Sequence, residues 1–242
     1  MTHWMRIKLP AALLILGLAS FVVFLEVEAS DDSDEQTGRS AVWTPPANDL
    51  ARIRQLCKTA RGSDFTGCFI TQMSAFGASP EAIAFTRNYS EQNRGAVAFL
   101  QGFRPVDLVD VGYAYFPAGA DFSQRWLLLN GSPAIIDVDD LSRLPQAEME
   151  KDPAFGALRK RYPKVTLFDG NRSSESVPEM QTGSDGTQEF TIDYPLKDHC
   201  RACATLGTAR FSFEFDPTGR LVAVRFLNVA TAGKQRVHAP AP

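Results

Sequence analysis

Two cysteines in a C-x-x-C spacing, Cys200 and Cys203, directly follow His199 and directly precede a strand-like run. The arrangement is compatible with thiol–disulfide exchange, with metal binding or with a structural disulfide. Exchange requires an exposed, stabilised Cys200 thiolate, which redox-active pairs obtain from the N-terminus of a helix. Only the short stretch 204–207 separates Cys203 from the strand-like residues, so no helix of useful length fits there. We therefore predict a structural disulfide. Exchange at this pair, with His199 beside it, is the alternative.

The chain has four cysteines, and Cys57 and Cys68 are the other two. An even number in an exported chain favours disulfides over free thiols. Of the three possible pairings, Cys57 with Cys68 and Cys200 with Cys203 needs no assumption about distant packing, and we favour it. Loop entropy alone would prefer long-range bridges, which would contribute about 5 kcal/mol, against about 3 and about 2 kcal/mol for the local pairs. The sequence therefore leaves the connectivity open.

The sequence offers no other set of residues with clear chemistry. A zinc site would need a second closely spaced cysteine pair or a suitable histidine, but His3 and His238 lie near the two ends of the chain. We therefore expect no metal and no cofactor. No nucleophile elbow, nucleotide-binding glycine loop or zinc-protease motif is present. Asp139 and Asp140 are interpreted as helix-capping acids rather than as paired catalytic carboxylates or calcium ligands. We predict no catalytic residues, and the sequence favours a protein that is not an enzyme.

The first 29 residues have the pattern of an export signal. Arg6 and Lys8 precede an uncharged apolar run, Leu9–Leu25, and acidic residues follow it, as expected when positive charge is retained inside. About 17 apolar residues lie at the lower limit for crossing a bilayer and slightly above the usual length in a signal peptide. Residues 1–29 are thus a signal peptide, cleaved after Ala29, or an uncleaved signal anchor. The remaining chain is expected outside the cytoplasm, periplasmic or secreted.

Composition divides the rest of the chain into three parts. Residues 30–47 are acidic and rich in proline, which predicts a flexible linker, and residues 231–242 predict a disordered tail. Residues 48–230 are long enough for a single domain with a substantial core. A formal net charge of −3 argues against nucleic acid as a partner. Contact with a membrane is expected only through the N-terminal segment, if it is uncleaved.

Hydrophobic periodicity predicts an α+β fold for residues 48–230. The N-terminal part is helical, with one helix starting at a cap on Asp49 and stopping at Gly62, and another starting at Ser79-Pro80. Strand-like segments follow. The last three strands form a C-terminal antiparallel meander, in which the apolar residues alternate with polar ones and are Phe190, Ile192 and Tyr194, then Phe211, Phe213 and Phe215, then Val222, Val224 and Phe226. The helical part is expected to pack on the strands and cover their apolar face.

A run of basic residues, Arg159, Lys160, Arg161 and Lys164, follows the helix start at Asp152-Pro153. Such a run is typical of a solvated helix face, and the other interpretation is docking on an anionic lipid headgroup layer or cell-wall polymer. With export and the lack of a catalytic set, the sequence predicts a disulfide-stapled soluble domain that binds an unidentified protein or envelope ligand. The alternative is a periplasmic thiol–disulfide exchange protein.

Overall fold

The structure, a computed structural model, describes residues 37–60, 63–118, 123–170 and 177–232. The leader, residues 30–36 of the predicted linker, residues 233–242 of the predicted tail, and the predicted helix stop at Gly62 lie outside these residues. In the described part of the chain, no helix is both long and apolar enough to cross a membrane.

Helices form the first part of the described chain, as predicted. The helices are α1 (Ala47–Cys57), α2 (Ser63–Ala75), α3 (Pro80–Gln92), α4 (Gln146–Met149) and α5 (Pro153–Arg161). The α3 helix has the predicted cap, because Ser79 Oγ accepts a hydrogen bond from Ala82 N at 3.1 Å. The α1 cap is different from the prediction, since the helix begins two residues before Asp49. The Asp49 carboxylate instead lies in the first turn, where the helix dipole favours negative charge.

Nine strands form two antiparallel sheets in the described residues. The first sheet has the order β1 (Phe99–Arg104), β2 (Asp110–Phe116), β3 (Ser123–Leu129), β4 (Ile135–Asp137). The second has the order β5 (Val165–Leu167), β7 (Gln188–Asp198), β8 (Thr205–Phe215), β9 (Leu221–Thr231), and β6 (Glu179–Thr182) also pairs with β7. The predicted meander, β7 to β9, and the α+β class are confirmed.

The core has a large central part and two smaller parts. Apolar side chains from one face of the first sheet, from α4 and α5, and from the inner face of the second sheet form the central part. On the opposite face of the first sheet, Phe85 and Tyr89 of α3 pack against Leu100 and Leu127. Helices α1 and α2 form the third part with Phe99 of β1. Phe190 of β7 and the alternating phenylalanines of β8 are buried in the central part, which explains the spacing in β8.

Contacts at one end of the molecule hold the two sheets together. Ser132 N, in the β3–β4 turn, donates to Gly219 O in the β8–β9 turn at 2.9 Å. Glycine is required at Gly131, because a Cβ there would lie 2.7 Å from Gly219 O. At the start of β7, Gln188 Oε1 accepts from Val109 N at 2.8 Å. The starts of β2 and β7 therefore lie at the same end of the domain.

Candidate binding surface

The disulfide between Cys57 and Cys68 joins the end of α1 to α2, with 5.8 Å between the two Cα atoms. Cys57 is fully buried, and Ile53, Phe69 and Met73 of the same two helices are also fully buried. A thiol partner would have to displace packed side chains to reach the Cys57 sulfur, whereas Cys68 is half-buried. The disulfide links the end of one helix to the next.

The disulfide between Cys200 and Cys203 closes the turn between β7 and β8, with 5.2 Å between the Cα atoms. Both cysteines are half-buried, and Cys203 N donates to Cys200 O at 3.1 Å. Strand β8 begins at Thr205, directly after the turn. The pair consequently has no following helix whose N-terminus would stabilise a thiolate.

His199 is exposed in the same turn and has a positive φ of 71°. Its backbone N–H donates to Lys197 O at 3.2 Å. Within the described residues, the His199 imidazole makes no hydrogen bond and no ion pair. The structure places the two cysteine pairs on different elements, and no cluster of three metal-ligating side chains occurs in the described part of the chain.

Polar contacts attach the disulfide turn to its neighbours. Lys197 Nζ donates to Arg201 O at 2.5 Å, which closes the turn from the β7 side. Arg201 Nη2 donates to Asp169 Oδ2 at 2.8 Å, and Asp169 follows the short strand β5. The turn is thus held at its own backbone and at a second strand.

The pairing of β5 with β7 brings the basic run next to the disulfide turn. Val165, the first residue of β5, pairs with Asp198, the last residue of β7. Lys164 immediately precedes β5, and α5 ends three residues earlier at Arg161. The resulting surface, here called the basic end, consists of Arg159, Lys160, Arg161, Lys164, Lys197, His199 and Arg201.

The two segments that contain the basic end carry more positive than negative charge. Segments 153–170 and 197–204 contain six Lys and Arg residues and only two acids, in a chain whose net charge is −3. Arg201 pairs with Asp169, and Arg159 lies 4.0 Å from Glu150. In the described residues, the three remaining side chains of the run form no ion pair, and they are exposed: Lys160, Arg161 and Lys164. Unpaired cations at one end of a domain attract anionic partners.

The acidic residues that could have formed a catalytic pair have structural roles. Arg125 Nη1 lies 2.6 Å from Asp137 Oδ2. Although burial disfavours the cation, the adjacent Asp137 carboxylate raises the pKa of Arg125. Burial, together with the Asp137 charge, raises the pKa of the Tyr89 hydroxyl.

Asp140 accepts a hydrogen bond from Ser142 N at 3.2 Å, as predicted for a helix cap. Asp139 does not have the predicted capping role, because it is buried and accepts from Gly170 N at 3.1 Å.

Comparison with known proteins gives no relative for this chain. No protein-family model, no curated protein and no solved structure matches it. The chain forms an α+β domain with two local disulfides and a basic end.

Proposed function

We propose that the chain is an exported, disulfide-stapled domain that binds an anionic component of the cell envelope through its basic end, without catalysis. The observation that carries the proposal is the pairing of Val165 with Asp198, which collects the basic run and the disulfide turn at one end of the domain. Lys160, Arg161 and Lys164 are exposed there, and an envelope anion would supply the counter-charge that these side chains lack.

Two features support an extracytoplasmic location. The structure contains two disulfides, and disulfides persist in oxidising compartments such as the periplasm and the extracellular space. The sequence begins with the charged, apolar and acidic pattern of an export signal. Cleavage after Ala29, or retention of the segment as an anchor, is part of the proposal and can be read from the intact mass of the mature protein.

The proposal is tested by co-sedimentation of the purified full chain with cell envelopes. We expect binding at low ionic strength that weakens as salt is added, because screening shortens the range of the charge interaction. Lys160→Glu with Lys164→Glu should lose this binding. The matched control is Lys58→Glu with Arg87→Glu, which makes the same change in net charge at exposed positions outside the basic end and should bind normally.

Two outcomes would overturn the proposal. Binding that is equal in the basic-end variant and in the wild type would show that another surface makes the contact. Loss of binding in the Lys58 and Arg87 control would show that net charge alone is responsible.

Thiol–disulfide exchange is the second candidate function. It is favoured by the position of Cys200 and Cys203, which are half-buried in a turn where the neighbouring His199 is exposed. A reduction potential of about −200 mV for the Cys200–Cys203 disulfide would support exchange. So would an insulin-reducing activity that is lost in Cys200→Ala. A couple that resists reduction below about −300 mV would support a structural disulfide.

A further inference from the structure

We infer that the envelope component bound by the basic end is a layer of anionic phospholipid headgroups. This inference rests on the proposed function and identifies the partner of that surface. The ammonium groups of Lys160 and Lys164 and the guanidinium of Arg161 are exposed and form no ion pair in the described part of the chain. Lipid phosphates provide many anions in one plane, so several cations can be neutralised together.

The apolar residues of the domain favour a lipid surface over a protein partner. Large aromatic anchors, together with arginine, carry most of the binding energy in protein interfaces. In the described residues, the exposed large hydrophobic side chains are Leu56, Leu108, Val177, Val222 and Leu227. None of these lies in segments 153–170 or 197–204, which contain the residues of the basic end. Electrostatic adsorption to headgroups needs no apolar anchor, so the surface is suited to that mode of binding.

The point where the described chain begins lies at the opposite end of the domain. Thr37 O accepts a hydrogen bond from Asn130 Nδ2 at 2.8 Å, and the same Nδ2 donates to Asp110 Oδ2 at 2.6 Å. Asp110 follows Val109, whose N–H donates to Gln188 Oε1 at the start of β7. The basic end is at the other end of β7, and the eleven residues of this strand span about 35 Å.

The length of the N-terminal segment permits contact between the basic end and the membrane. Residues 26–36 separate the apolar run from Thr37. Eleven fully extended residues span about 36–40 Å, close to the length of β7. An uncleaved leader would therefore let the basic end reach the bilayer only with this segment almost fully extended. If the leader is cleaved, the basic end alone binds, and the binding is reversible and sensitive to salt.

The test is binding of the full chain, as isolated from the envelope, to vesicles of two compositions. One set contains neutral phosphatidylcholine, and the other also contains about 30 % phosphatidylglycerol. Each basic residue that contacts such an anionic surface raises the affinity of the protein for the vesicles roughly fivefold. The affinity for neutral vesicles measures any contribution of the leader. The difference in affinity between the two sets measures the contribution of the basic end. We expect tighter binding to the anionic vesicles, and we expect added salt to remove the difference.

The variants assign that difference to particular residues. Lys160→Gln with Lys164→Gln should lower the affinity for anionic vesicles by about 25-fold, because two fivefold contributions are removed. The charge-reversed pair should lower it further, and the Lys58→Glu with Arg87→Glu control should leave it unchanged. Circular dichroism of each variant verifies that its fold is intact, as expected for exposed positions.

Failure of the lipid inference can be distinguished from failure of the proposed function. Equal binding to neutral and anionic vesicles would overturn the lipid inference. Binding to soluble polyphosphate without binding to anionic vesicles would also overturn it, in favour of a polymer. If envelopes still bind through Lys160 and Lys164 in either case, the proposed function stands. If envelopes and vesicles both fail to bind, both proposals are wrong.

Discussion

Removing the two disulfides separately should reduce stability by different amounts. Cys57 and Cys68 are separated by 11 positions, and Cys200 and Cys203 by 3. Loop-closure entropy then assigns about 3 kcal/mol to the first disulfide and about 2 kcal/mol to the second. Replacement by alanine also leaves a small void at the fully buried Cys57, for about 1 kcal/mol more. The expected losses in the free energy of unfolding are about 4 and about 2 kcal/mol.

The assay is equilibrium unfolding in urea of the wild type and of the two double variants, Cys57→Ala with Cys68→Ala and Cys200→Ala with Cys203→Ala. Circular dichroism and tryptophan fluorescence should give coincident transitions, so that each free energy refers to the whole domain. The slope with urea should be compared as well, since a lost cross-link also expands the unfolded chain. An equal or larger loss in the Cys200 and Cys203 variant would refute the reasoning from loop length and burial.

Three further results are expected from substitutions outside the cysteines. Gly131→Ala should destabilise the domain by about 1–3 kcal/mol in urea unfolding, because the new Cβ would lie 2.7 Å from Gly219 O. Gly67→Ala, the matched control, should stabilise it by about 1 kcal/mol, because a Cβ on this helical residue meets nothing within 4 Å. Hydrogen bonds from the Thr218 hydroxyl, the largest cause, and from the Arg220 N–H lower the pKa of Asp216 to about 2. NMR titration of Thr218→Val should therefore show this pKa raised part of the way towards 3.8. Since the folded pKa is depressed, the Asp216 carboxylate stabilises the fold above about pH 4, and this contribution is lost as the pH falls to about 2.

Local sequence patterns predicted much of the fold. The alternation of apolar residues in β7 and β8 is a strong signal because each of these strands has one buried face. The prediction was wrong for the face of β9, where Val229 is the one buried residue and Val222, expected to face inward, is exposed. The start of α3 has its own local signal, a serine cap followed by proline. Strand β6 was missed, because Glu179–Thr182 lies in a polar, glycine-containing stretch that indicates a loop. Its strand conformation depends on pairing with β7, which the residues of β6 do not encode by themselves.

The basic end could be predicted only in separate pieces. The basic run and the C-x-x-C pair are each visible in the sequence, but the register of Val165 with Asp198 brings them together. Strand β5 has only three residues, too few for alternation to indicate a partner. The prediction that Asp139 caps a helix failed for a similar reason, because its hydrogen-bond partner Gly170 is 31 positions away in the sequence. Contacts between segments distant in the sequence determine both the position of the basic run beside the disulfide turn and the hydrogen bond of Asp139. The spacing of neighbouring residues contains no information about such contacts.

The account depends most directly on which residues of the basic end contact the envelope. Co-sedimentation with envelopes should compare two variants in one experiment, Lys160→Glu with Lys164→Glu and Cys200→Ala with Cys203→Ala. We predict that the lysine variant loses binding and that the cysteine variant keeps it, since Lys197 and Asp169 still hold the turn. Binding that is lost with the cysteines and kept without the two lysines would contradict the account.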